Sequence, residues 1–115
     1  MEKQFATYEQ SLALRELGFG ELCFGSYYNN GDFTNYLDID GKRQMNHVLL
    51  APLKSQVFEW FREKYSIVGY VVPHNGKWTY KIISNKINIE LNGFKTYVDA
   101  ELSCIDKLIE LVKNK

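Results

Sequence analysis

Between residues 67 and 91 the apolar residues fall in short runs separated by turn clusters, while the segments on either side repeat about every 3.6. Residues 67–72 and 77–83 read as strands, joined by Pro73-His74-Asn75-Gly76. Asn-Gly is the strongest short hairpin signal, because both residues tolerate the positive φ that a tight two-residue turn demands. Ser84-Asn85-Lys86 turns the chain again, and Ile87-Asn88-Ile89-Glu90-Leu91 alternates as a half-buried strand does. Asn92-Gly93 reads as its end. Three strands in succession form an antiparallel meander with one apolar face, and such a face has to be covered.

The flanking segments supply helices for that purpose. Pro52 is expected at the first position of a helix running to about residue 65, where its missing N–H is not needed. On a helical wheel Leu53, Val57, Phe58, Trp60, Phe61 and Tyr65 fill one arc, and Ser55, Gln56, Glu59, Arg62 and Glu63 fill the other. Lys54 falls inside the apolar arc. A last helix, 97–112, carries Val98, Leu102, Ile105, Leu108, Ile109 and Val112 on one side, with Thr96 and Asp99 at the spacing of a capping box. A first helix, 7–17, starts with Thr7 and Gln10 at that spacing and stops at Gly18, which is expected to be left-handed. Phe5-Ala-Thr7-Tyr8 and Phe94-Lys-Thr96-Tyr97 share a spelling. It reads as one entry-and-cap solution used twice.

Between the first two helices the chain reads as short strands at 22–28, 33–37 and 45–50, with Gly25 as a bulge or point of close approach. Asn29-Asn30-Gly31-Asp32 and Asp40-Gly41 are turn clusters, and 29–44 is the best candidate for a mobile loop. The order of elements predicts an α+β fold: an antiparallel sheet, made of the meander plus the N-terminal strands, with three helices packed on it. At 115 residues the expectation is a single domain, 1–115.

Composition and motifs exclude several classes. Hydrophobic residues are 45% and charged residues 24%, which a disordered chain would not show. No apolar run is long enough for a transmembrane helix, and the N-terminus lacks signal-peptide features, so an intracellular protein is expected. Fourteen basic residues cancel fourteen acidic ones, which argues against coating duplex DNA. The charges are nonetheless uneven. Residues 1–40 are acidic, whereas 41–86 hold eight cations against Glu59 and Glu63, a setting for a local anionic ligand. Cys23, His47, His74 and Cys104 are isolated and fit no metal-ligand spacing. Asp38-Ile-Asp40-Gly41 fails as a calcium loop, since position 12 would be His47. There is no dinucleotide fingerprint, P-loop or nucleophile elbow. Both cysteines are expected as reduced core thiols, and His47 and His74 as ordinary surface or core residues. The expectation is therefore a non-enzymatic protein without cofactor or metal.

The compositional excess is aromatic. Eight Tyr, seven Phe and two Trp make up 15% of the chain. Tyr27, Tyr28, Tyr36, Tyr65, Tyr70, Trp78 and Tyr80 lie in or beside segments expected to be half exposed. Such rings serve interfaces and base stacking. Around the hairpin they alternate with Lys77, Lys81 and Lys86, a combination that also cradles nucleotides. Lys54, in a first helical turn, has two readings: an anion-holding charge added to the helix amides, or a stem on apolar neighbours with its ammonium in water. The candidate ligand-binding residues are Lys54, Arg62, Tyr65, Tyr70, Trp78 and Tyr80.

The segments 5–10, 51–65 (Ala-Pro-Leu-Lys-Ser-Gln-Val-Phe-Glu-Trp-Phe-Arg-Glu-Lys-Tyr) and 94–109 resemble small uncharacterised proteins encoded by bacteriophages and prophages of Bacteroides-type hosts. The resemblance carries no catalytic residue. It implies an accessory protein acting in the host bacterial cytoplasm. Three functions are then open: capture of a small anionic nucleotide signal of host immunity at a subunit boundary of a homo-oligomer, blocking of a host protein through a tyrosine-rich face, and single-stranded nucleic-acid binding by the 67–83 hairpin. No membrane partner is expected.

Overall fold

In the computed structural model, which describes residues 2–20, 25–28, 33–34 and 48–114, the chain is organised in two units, Met1–Lys54 and Ser55–Lys115. The fold is α+β, with three α-helices among the described residues and antiparallel strands. The strands form two three-stranded sheets, one per unit.

In the first unit α1 spans Tyr8–Glu16. Thr7 caps it as its spacing predicts: Gln10 N–H donates to Thr7 Oγ1, and Thr7 N–H donates to Gln10 Oε1, both at 3.1 Å. Gly18, at φ 98°, ends it in a Schellman turn, with Gly18 N–H donating to Arg15 O and Phe19 N–H to Leu14 O. Strands β1 (Gly25–Tyr28), β2 (Phe33–Thr34) and β3 (Val48–Ala51) pair in the order β2-β1-β3. Gly25 pairs in register with Ala51, so it is not the expected bulge. The rest of the 29–44 segment, with Tyr36, the two turn clusters and the proposed loop, lies outside the described residues, as do Cys23 and His47.

Phe5, Tyr27, Leu49 and Ala51 form the buried cluster here, with Tyr8, Leu12 and Leu53 against it. Tyr27 is therefore core and not half exposed. Its phenol reaches a partner inside, donating to Ala6 O at 2.6 Å, and its ring meets Tyr8 edge-on at 5.6 Å. Pro52 is not the first helical residue. The chain stays extended through 52–53, where Phe5 bridges Leu53 and Ala6 N–H donates to Pro52 O at 2.9 Å. Pro offers only its carbonyl to that pairing, which is all the pairing asks of it.

The second unit holds most of α2 (Lys54–Tyr65), the sheet β4 (Val68–His74), β5 (Lys77–Ile83) and β6 (Asn88–Phe94), and α3 (Tyr97–Lys113). α2 ends at Ser66, a non-glycine residue at φ 58°. The β4–β5 hairpin turns at Asn75 and Gly76, both at positive φ, as the sequence predicts. β6 does not stop at Asn92-Gly93. Trp78 pairs with Phe94 and Tyr80 with Leu91, so Thr79 alone faces Asn92 and Gly93. This is a β-bulge: Gly93 takes φ 95° and the strand continues.

α3 lies mainly across β4 and β5, with Ala100, Cys104, Ile105 and Leu108 fully buried. From α2, Val57 and Phe61 are fully buried and Trp60 is nearly so. Gly69 is where α2, β4 and α3 meet. A Cβ at that position would stand 3.1 Å from both Cys104 Sγ and Leu108 Cδ1 and 3.4 Å from Phe58 Cδ1. Only glycine leaves that space.

Candidate functional site

The closely packed point at Gly69 is the floor of an open groove of about 430 Å³ in the second unit. Its walls come from three elements. α2 contributes Ser55, Phe58, Glu59 and Arg62, which helical spacing gathers on one face. β4 contributes Gly69, Tyr70 and Val71, and the first turns of α3 contribute Tyr97 and Glu101. The volume falls within the range of small-ligand and side-chain pockets, roughly 300–1,000 Å³.

Tyr97 is the best-positioned side chain in it. The residue is 45% exposed, yet it is held at both ends. Trp78 packs against its ring edge-on, at 5.2 Å between centroids and 86° between planes. Its hydroxyl is hydrogen-bonded to Glu101. Burial of part of the ring, together with the Glu101 carboxylate, pushes the phenol above its ordinary value, so it stays a neutral donor. Tyr70 borders the groove through β4, but it pairs with Lys81, so its side chain, 37% exposed, belongs to the face of the sheet away from α3. Arg62 Nη2 stands 4.0 Å from Glu59 Oε2, with half of the arginine side chain in water. Such a pair contributes little to stability, so the guanidinium is easily diverted to a partner. The groove thus offers one guanidinium, two carboxylates and the rings of Phe58 and Tyr97.

Under the floor lies Cys104. Burial first, and then the charge of Glu101, push its thiol up to about 12, while a backbone hydrogen bond with Tyr70 acts in the opposite direction. It remains a thiol at any physiological pH and behaves as a small apolar group. It is a free, buried cysteine, as expected. Among the described residues no group of three or more His, Cys, Asp and Glu is placed to hold a metal ion.

Of the residues singled out from the sequence, Arg62 and Tyr70 both border the groove. Trp78 stands behind it as the support of Tyr97. Tyr80 is buried, not half exposed. Its ring packs on Phe94, and its phenol is raised by burial, then by Cys104. Tyr65 packs against Trp60 and Phe61, with Lys64 Nζ within 6 Å of both the Trp60 and Tyr65 rings. Lys54 is only 3% exposed and belongs to the first unit. Neither a surface charge nor a snorkelling lysine with its ammonium in water describes a residue buried to that extent.

The alternation of rings and lysines along β5 has a further consequence. A strand sends successive side chains to opposite faces. Trp78 and Tyr80 take the face that α3 covers, and Lys77 and Lys81 take the other, where Lys81 Nζ pairs with Glu90 at 3.5 Å. Rings and cations that alternate along β5 are separated in space, while Tyr70 of β4, paired with Lys81, lies on the lysine face. Glu59, Tyr97 and Glu101 were not candidates from the sequence, since nothing local links the second helix to the third.

Comparison with known proteins returns no match: no family model fits the chain, and no curated protein or solved structure is significantly similar to it. Among the described residues no helix is long and apolar enough to cross a membrane. The reading of the groove rests on its own geometry.

Proposed function

We propose that this chain is a non-catalytic protein-binding protein that docks its partner at the groove between α2, β4 and α3. The observation that carries this is Tyr97: a large side chain, exposed, yet fixed in place by Trp78 and Glu101 before any partner arrives. Tyr and Arg dominate the energetics of protein interfaces, and pre-ordered rings lose little freedom on binding. Phe58 and Arg62 stand beside it in the same groove. The charge balance favours a protein over a nucleotide, since a phosphate approaching Arg62 also meets Glu59 and Glu101. The resemblance to phage-encoded proteins makes a host protein the natural class of partner.

The test uses four purified proteins as bait in one bacterial lysate: wild type, Tyr97→Ala, Arg62→Ala, and Lys77→Ala at the far hairpin tip. A partner that docks here is captured by wild type and Lys77→Ala and lost with the other two. Remade with the purified partner, Tyr97→Ala should weaken binding by about 2 kcal/mol or more, roughly 30-fold. Nucleotides released from wild type alone would replace this reading with capture of an anionic signal. A self-associating wild type whose groove variants are monomers would make the partner a second copy. Capture unaffected by either groove variant overturns the assignment.

A further inference from the structure

Three Asn-Gly pairs occur in the chain, and the first, Asn30-Gly31, lies outside the described residues. The other two are both exposed and share one covalent chemistry, but their asparagine side chains have different hydrogen-bond partners. An asparagine followed by glycine is open to attack by the glycine amide nitrogen on the asparagine Cγ, because glycine has no Cβ to shield that nitrogen or restrict the approach. Asn75-Gly76 stands at the exposed hairpin tip, and Asn75 Nδ2 is 3.2 Å from His74 Nε2. Asn92-Gly93 forms the bulge of β6, where Thr79 Oγ1 donates to Asn92 Oδ1 at 2.6 Å. Thr79 itself is buried.

We propose that Asn75 is a site of self-modification by deamidation, with His74 as the proton donor to the departing nitrogen, and that Thr79 holds Asn92 unreactive. The Gly76 amide gives up its proton to solvent, and its lone pair forms a new bond to Asn75 Cγ. The Cγ–Nδ2 bond then breaks, and its electron pair leaves with nitrogen. His74 Nε2, which accepts from Nδ2–H in the starting structure, takes up a proton from water and passes it to that nitrogen, which leaves as ammonia. Water then opens the succinimide at either carbonyl, giving aspartate or isoaspartate. One water is consumed and one ammonia released, with no change of oxidation state.

At Asn92 ring closure requires the side chain to swing away from Thr79. That breaks a short hydrogen bond and takes from a buried hydroxyl the acceptor it now has. The product at residue 75 would place a carboxylate beside Lys77, or, as isoaspartate, add a backbone atom to the turn that sets the β4–β5 register.

Full-length protein held at neutral pH and body temperature is digested and analysed by mass spectrometry that separates Asn, Asp and isoAsp peptides. In the folded protein Asn75 should convert roughly tenfold faster than Asn92, below the ~10²-fold or more of a fully enclosed acid–base group. In urea the two sites should converge. His74→Gln, an exposed substitution at a turn, should slow residue 75 several-fold and leave residue 92 unchanged. Thr79→Val, if folded, should speed residue 92. Equal rates at the two sites in the folded protein overturn the proposal. So does an Asn75 that converts no faster folded than in urea and does not respond to His74→Gln.

Discussion

Gly69→Ala tests the packing on which the groove rests. An added Cβ would lie 3.1 Å from Cys104 Sγ and Leu108 Cδ1, inside the 3.4–4 Å of ordinary contact, and 3.4 Å from Phe58 Cδ1. Two of those neighbours are on α3 and one on α2, so a single methyl presses both helices away from β4. Overpacking a filled core costs about 1–3 kcal/mol. Replacing glycine inside a strand returns about 0.5–1 kcal/mol through the unfolded chain. The balance is a destabilisation of about 0–2.5 kcal/mol, a fall in Tm of up to roughly 10 °C for a domain of this size. Urea unfolding should show a lower midpoint with an unchanged slope, since the surface exposed on unfolding stays the same. Cys104→Ala should partly rescue it. Removing Sγ opens room for the new methyl, so the double variant should lose less than the sum of the singles. A Gly69→Ala protein more stable than wild type, or strictly additive costs, would refute the three-way contact.

The Cys104 thiol should resist alkylation in the native protein and react on unfolding. Its folded pKa lies near 12 against an ordinary 9.0, so the folded form retains its proton longer. The stability this brings is complete below pH 9 and lost as pH rises from there toward 12, so the fall in stability across that window should be smaller in Cys104→Ala. Ser11 Oγ is buried in α1 and has no hydrogen-bond partner among the described residues. Ser11→Ala removes that unpaired group and adds helix propensity, and should raise stability by about 1 kcal/mol in the same urea assay.

What the sequence made legible was local. Thr7 with Gln10, Gly18, and Asn75-Gly76 each fix a backbone geometry within a few residues, and each stands in the structure as its spelling predicts. The faces of α2 and α3 were legible too, because helical period sorts apolar from charged residues. Ambiguity entered where a residue has two uses. Tyr27 and Tyr80 carry both a ring to bury and a hydroxyl to expose, and only partners such as Ala6 O for Tyr27 decide the matter. Asn92-Gly93 spells a turn as readily as a bulge, and the Thr79 side chain opposite it tips the balance. Lys54 sits where a helical wheel predicts apolar contact, and its charge argued for the surface against that position. The groove was half visible, through Arg62 and Tyr70. Tyr97 and Glu101 join them only because α3 crosses β4, a contact between residues far apart in sequence.

The extra residue in β6 acts as a phase shifter. Up to Leu91 the strand keeps step with β5, and beyond the bulge it resumes one residue late, so Phe94 and not Gly93 arrives opposite Trp78. Thr96 and Tyr97 follow at once, and Tyr97 reaches Trp78 from there. Removing Gly93 would therefore close the bulge into a regular ladder and leave Phe94 opposite Trp78. A deletion between 94 and 97 has no such slack: it would shift Tyr97 along the chain relative to Trp78 and rotate the start of α3. Chain-length variation among descendants of this protein should consequently be tolerated at the 84–87 turn and at the bulge, and absent between 94 and 97, a pattern that a library of single-codon deletions would read out directly.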